Sequence, residues 1–78
     1  MRKYETKYMI FAEVRKKPKT SVWEVLNRKG LYSLGGIEWY SPWRQYVYIP
    51  NPGTEYNNSC LTEIAEFLTK LNKEQKEK

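Results

Sequence analysis

Leu34-Gly-Gly-Ile-Glu-Trp-Tyr-Ser-Pro-Trp-Arg-Gln-Tyr-Val-Tyr-Ile-Pro50 is the stretch whose reading decides the fold. It holds two of the three tryptophans and three of the seven tyrosines of the chain. Aromatic and β-branched residues suit a pleated, half-buried surface. The pattern predicts a β-hairpin, with Ile37–Tyr40 as one arm, Ser41-Pro42 as the turn and Trp43–Ile49 as the return. Pro42 sets φ for a turn and cannot donate to a sheet ladder. Pro50 and Pro52 end the second arm.

Working outward, the upstream residues predict more strands. Thr20–Asn27 alternates around Trp23 and Val25, and Arg28-Lys-Gly30 is a turn in which Gly30 is free to take positive φ. Leu31–Tyr40 forms the next strand. Its Gly35-Gly36 pair marks a bulge or a close approach by a ligand or another backbone. Tyr4–Val14 reads as one strand with apolar residues on both faces, stopped by Arg15-Lys-Lys-Pro-Lys19.

On the downstream side, Asn51–Asn58 is a loop by composition, and Asn58 or Ser59 caps a helix. That helix covers about Cys60–Asn72, within a 59–73 block, followed by a charged tail over 74–78. Leu61, Ile64, Ala65, Leu68 and Leu71 form its apolar stripe, with Cys60 and Phe67 at the flanks. Glu63 and Glu66 come early and Lys70 and Lys73 late, which complements the helix dipole.

The expected fold is a single α+β domain over 1–78, a four-stranded antiparallel meander with one C-terminal helix packed on one face. Its parts are a basic N-terminal strand and turn (1–19), a three-strand meander (20–50), the helix and the tail. Residues two apart share a face of a strand. Grouping the apolar ones puts Trp23, Val25, Ile37, Trp39, Val47 and Ile49 in the core. Glu24, Leu26, Glu38, Tyr40, Arg44, Tyr46 and Tyr48 then form a free polar and aromatic face.

Composition narrows the chemistry. Histidine is absent, which excludes Ser/His/Asp and Cys/His catalysis. One cysteine, Cys60, allows no internal disulfide, and a lone cysteine opening an amphipathic helix is usually a small buried hydrophobe. No phosphate loop, dinucleotide fingerprint or zinc spacing occurs, and no cofactor is expected. There is no apolar run long enough to span a membrane and no signal-peptide pattern, so a cytoplasmic protein is expected. These features predict a non-enzymatic protein.

Charge and aromatics point to binding. Residues 1–20 carry seven basic side chains against two acidic, and so hold the whole net charge of +5. Lys16, Lys17 and Lys19 can neutralise phosphate. Tyr40, Trp43, Tyr46 and Tyr48 offer planes for bases, and Arg44 offers a bidentate donor. These eight residues are the expected ligand-binding set. A small domain also gains buried area by homo-oligomerisation.

The strings Val22-Trp-Glu-Val, Gly36-Ile-Glu-Trp-Tyr-Ser-Pro-Trp-Arg-Gln-Tyr and Asn58-Ser-Cys-Leu-Thr-Glu-Ile-Ala-Glu-Phe resemble a group of small bacteriophage-encoded proteins with a Trp-Tyr-x-x-Trp-Arg-x-Tyr core. The resemblance covers about residues 20–68, leaving 1–15 outside it. Several phage proteins of this size are nucleotide "sponges" that sequester the cyclic dinucleotide or related signal of bacterial anti-phage defence. The resemblance therefore extends to an expected function: capture of a small nucleotide in the host bacterial cytoplasm, by a homo-oligomer. A single-stranded nucleic-acid-binding module and a protein-interaction domain that inhibits a host protein are the alternatives.

Overall fold

The computed structural model describes residues 1–77. Five strands form one antiparallel sheet in chain order: β1 (Lys3–Glu5), β2 (Met9–Lys16), β3 (Ser21–Asn27), β4 (Ser33–Tyr40) and β5 (Gln45–Pro50). A single helix, α1 (Asn58–Lys76), crosses one face. The α+β meander with a C-terminal helix is as expected, but with five strands rather than four. The predicted Tyr4–Val14 strand is a hairpin. Thr6 folds it, its N–H donating to Met9 O at 2.8 Å and its Oγ1 accepting from Met9 N at 3.0 Å. A threonine hydroxyl can close such a turn without glycine or proline.

Helix α1 begins at Asn58, one residue earlier than the predicted block, because Asn57 is the N-cap and its side chain accepts from Cys60 N. The helix runs on to Lys76, so the charged tail is mostly helical, as its Glu, Gln and Lys content favours. Lys78 lies outside the described residues.

The core lies between α1 and the sheet. Met9, Phe11, Trp23, Val25 and Ile37 are fully buried beneath Ile64, Phe67 and Leu71. Phe67 sits at the centre of the buried stripe rather than at its flank, while Leu61 and Ala65 are exposed. Its ring stacks on Phe11 at 4.3 Å and meets the edge of Trp23 at 5.0 Å. Such aromatic pairs add about 0.5–1.5 kcal/mol beyond their buried area. Trp23 Nε1 finds no acceptor among the described residues. The Trp23 ring does carry the Arg2 guanidinium at 5.1 Å.

Register sets which side chains face the helix. Trp23, Ile37 and Tyr48 are cross-strand neighbours, as are Trp39 and Tyr46. Tyr46 and Tyr48 therefore face the core, and Val47 and Ile49 face outward, the reverse of the predicted assignment for this strand. Burial of the phenols is tolerated because each hydroxyl is satisfied. Tyr46 Oη accepts from Ser21 N at 3.1 Å, and Tyr48 Oη lies 2.6 Å from Tyr56 Oη. Two bulges adjust the sheet. The one expected at Gly35-Gly36 falls at Leu34, where pairing steps from Leu26–Ser33 to Val25–Gly35. The other falls at Val14, between the pairs Glu13–Trp23 and Arg15–Val22.

Candidate functional site

The β4–β5 connection creates the site. Tyr40 pairs with Gln45, so four residues form the loop rather than the predicted two. Ser41–Trp43 is a 3-10 turn with Pro42 near its start, and Arg44 closes it at φ 53°, ψ 47°. This left-handed conformation costs a residue with a Cβ about 1–2 kcal/mol, and such strain gathers at functional sites. Trp43 is left 66% exposed, an unusual state for the largest side chain.

The last turns of α1 stand beside this loop. Asn72 anchors them, its Oδ1 accepting from Tyr46 N at 2.7 Å. Between loop and helix lies a cleft of about 570 Å³. Trp39, Trp43 and Arg44 line it on the sheet side, and Asn72, Gln75 and Lys76 on the helix side. The volume falls within the range of about 300–1,000 Å³ usual for small-molecule sites. Aromatic planes, amides and two cations converge there. The helix C-terminus brings partial negative charge, offset by Lys73 and Lys76 in the last turn. The anionic part of a ligand would therefore sit toward Arg44, and a ring toward the tryptophans.

The eight predicted binding residues separate into four groups. Trp43 and Arg44 line the cleft. Tyr40, 42% exposed, meets the Trp43 ring edge-on at 5.0 Å and supports it from the side. Lys16, at the end of β2, and Lys17 and Lys19, on the β2–β3 turn, are exposed, and the antiparallel meander brings them to the same end of the sheet. Among the described residues, none of these lysines, nor Arg44 or Lys76, is in an ion pair. Tyr46 and Tyr48 are withdrawn. Tyr46 is only 6% exposed, and Tyr48 belongs to a hydrogen-bonded chain. In that chain Tyr56 donates to Leu34 O at 2.9 Å, and Thr54 Oγ1 donates to Tyr56 Oη at the same distance. Burial, then the bond to Tyr56, pushes the Tyr48 phenol well above its ordinary pKa. This chain ties the 51–57 loop to the sheet.

Sequence reasoning missed Trp39, Gln45, Asn72, Gln75 and Lys76. The alternation pattern puts Trp39 in the core, yet it is half-buried and meets the Tyr46 ring in a T-shaped contact at 5.4 Å. The helix residues lay beyond the predicted end of the helix or at its last position. Their signal was the unbroken helix-forming composition of 73–77.

Other parts of the chain bear on chemistry. Cys60 is half-buried and packs against the core. Glu24 and Glu38 lie on the outer face with no cation paired to either among the described residues. No three His, Cys, Asp or Glu side chains gather as a metal site among the described residues. Among the described residues, no helix is long and apolar enough to cross a membrane.

No protein-family model matches the chain, and no solved structure matches it. It is similar to an uncharacterized 9.3 kDa protein of Acholeplasma phage L2, with 33% identity over 73 residues that cover 92% of this chain and 94% of the relative. A match over nearly the full length of both chains includes the Trp43 loop and most of α1. The chain belongs to the family of small phage-encoded proteins that this relative represents.

Proposed function

We propose that this is a non-catalytic protein that binds and sequesters a small nucleotide, such as a cyclic dinucleotide of bacterial anti-phage signalling. The observation that carries the reading is the cleft in which two tryptophans, Arg44 and Lys76 converge without a partner for either cation among the described residues. A base stacked on Trp43 contributes about 1–3 kcal/mol. A guanidinium–phosphate contact adds about 1.5–3 kcal/mol. The lysines of the β2–β3 turn raise the local anion concentration and the association rate. Membership of a phage family is compatible with this role.

A cyclic dinucleotide carries two bases, and one copy offers one such cleft, so a homo-oligomer suits the reading. The face of the sheet away from α1 supports a second copy as its cover. Ile10, Ala12, Val22, Leu26 and Val47 are half-buried there and Ile49 is half exposed. Arg15, opposite Val22, and Glu38, opposite Val47, place both signs of charge on that face, as self-complementary packing needs.

Isothermal calorimetry against a panel of cyclic dinucleotides tests the function. A saturable, stoichiometric signal is expected, reduced at least tenfold by Trp43→Ala. Silence with every member at high micromolar concentration overturns the reading. Affinity that instead grows with oligonucleotide length and falls steeply with salt would assign the cleft to single strands. Sedimentation of the native chain beside Ile49→Glu tests the second copy, which a strictly monomeric native protein would rule out.

A further inference from the structure

A second hollow opens at the opposite end of the sheet, where the β1–β2 and β3–β4 turns meet. Its volume is about 740 Å³, larger than the Trp43 cleft. Lys7 and Tyr8 come from one turn, and Arg28, Lys29 and Tyr32 from the other. Three cations and two phenol rings thus surround one space. Tyr8 is 39% exposed and Tyr32 57%. Exposed rings beside cations match the chemistry of a ligand that is both flat and anionic.

The hollow is held in shape. Arg28 N donates to Tyr8 O at 2.9 Å, which ties the two turns together. Asn27 Oδ1 accepts from Lys29 N at 3.0 Å and Gly30 N at 2.8 Å, fixing the tip of the turn. Leu31 follows at φ 59°, so the left-handed residue is Leu31 and not the expected Gly30. Gly30 serves a different purpose. A Cβ there would come within 2.8 Å of Tyr32 Cδ1 and Cε1. The missing side chain is what lets the Tyr32 ring lie over the turn.

The cations are unequally engaged. Arg28 donates to Thr6 O at 3.1 Å and sits 3.5 Å from Glu5, so part of its charge is used. Lys7 stands 5.4 Å from the Tyr8 ring, and neither Lys7 nor Lys29 is in an ion pair among the described residues. Two ammonium groups without a carboxylate partner among the described residues, in a hollow also lined by two rings, suit a ligand that combines a phosphate with a flat aromatic base.

We infer that this hollow is a second nucleotide-binding site, independent of the Trp43 cleft, with Lys7 and Lys29 on phosphate and Tyr32 stacked on a base. A free nucleotide and a nucleotide within a single strand share this chemistry. The test is ¹H–¹⁵N chemical-shift titration of the full chain with a mononucleotide, a short single-stranded oligonucleotide and inorganic phosphate. Shifts at residues 7–8 and 28–32 are expected with one or both nucleotide ligands. Response to the mononucleotide assigns a free ligand, and response to the oligonucleotide alone assigns a strand.

Tyr32→Leu and Lys29→Gln, both at exposed positions, should each weaken binding here about tenfold. They should leave shifts at Trp43 unchanged. Gly30→Ala should weaken it too, by displacing a ring that is still present. Inorganic phosphate shifting these residues as strongly as the nucleotides, or binding indifferent to Tyr32→Leu, overturns the inference. Trp43→Ala, which disables the other cleft, should leave this site intact, so that the two sites fail separately.

Discussion

Arg44→Gly separates the ligand role of Arg44 from any structural one. The native residue sits at φ 53°, ψ 47°, where a side chain with a Cβ is strained by about 1–2 kcal/mol. Glycine removes that strain but loses about 0.4–1 kcal/mol through its freer unfolded chain. Among the described residues the Arg44 side chain is in no ion pair whose loss would enter the balance. The net expectation is a fold unchanged or stabilised by up to about 1.5 kcal/mol. Ligand affinity moves the other way. Loss of a guanidinium–phosphate contact costs about 1.5–3 kcal/mol, or about ten- to hundredfold. Urea unfolding followed by tryptophan fluorescence reads the first quantity, and calorimetry with a cyclic dinucleotide the second. Arg44→Lys should restore only part of the affinity, since a point charge replaces a planar fork. A glycine variant that binds as tightly as the native chain would refute the assignment of Arg44 to the site. One that unfolds more than about 1 kcal/mol more readily would show the side chain serving the fold instead.

Three further predictions concern the frame around the site. Tyr46→Phe should lower stability by about 1–3 kcal/mol in urea titration, because it strands the buried Ser21 N–H that donates to the Tyr46 hydroxyl. Gly35→Ala should destabilise severely, since its Cβ would lie 2.4 Å from Ile49 O and 2.9 Å from Pro50 Cα; Gly36→Ala, whose nearest neighbour is Trp23 O at 3.4 Å, should fold almost normally by circular dichroism. The hydrogen bond from Ser21 Oγ, opposed by burial and reinforced by Arg2 N–H, holds the Glu13 carboxyl below its ordinary pKa. Its folded pKa is lower than its unfolded one, so its stabilisation is complete above about pH 5 and is lost as pH falls through the folded value. The urea midpoint should drop on that acid side, and Glu13→Gln should flatten the dependence.

The meander, the position of the helix and the faces of β3 and β4 were legible because local periodicity carries them. The first hairpin was not, since Thr6-Lys-Tyr8 contains no glycine or proline and its turn is closed by a hydroxyl. The phase of β5 is more instructive. A two-residue loop and the observed four-residue loop both place Tyr46 and Tyr48 on the same face as Ile37 and Trp39, because shifting the pairing sum by two preserves the face. Loop parity therefore contained the answer. Hydrophobicity alone pointed the wrong way, treating valine and isoleucine as better core residues than tyrosine.

That inversion links the fold to the site. With Tyr46 turned inward, its main-chain N–H meets Asn72, and this contact holds the end of α1 beside the Trp43 loop. The helix residues of the cleft are brought there by a contact between positions far apart in sequence, which no local pattern reveals. The same half-turn sends Val47 and Ile49 to the outer face, which they make more apolar. Had the aliphatic residues been buried and the phenols exposed, the aromatic surface would have spread over an open sheet. Instead, the rings available to a ligand are confined to the sheet's two ends, while the broad face between them mixes aliphatic side chains with Arg15, Glu24 and Glu38 and is the surface that the proposed second copy would cover.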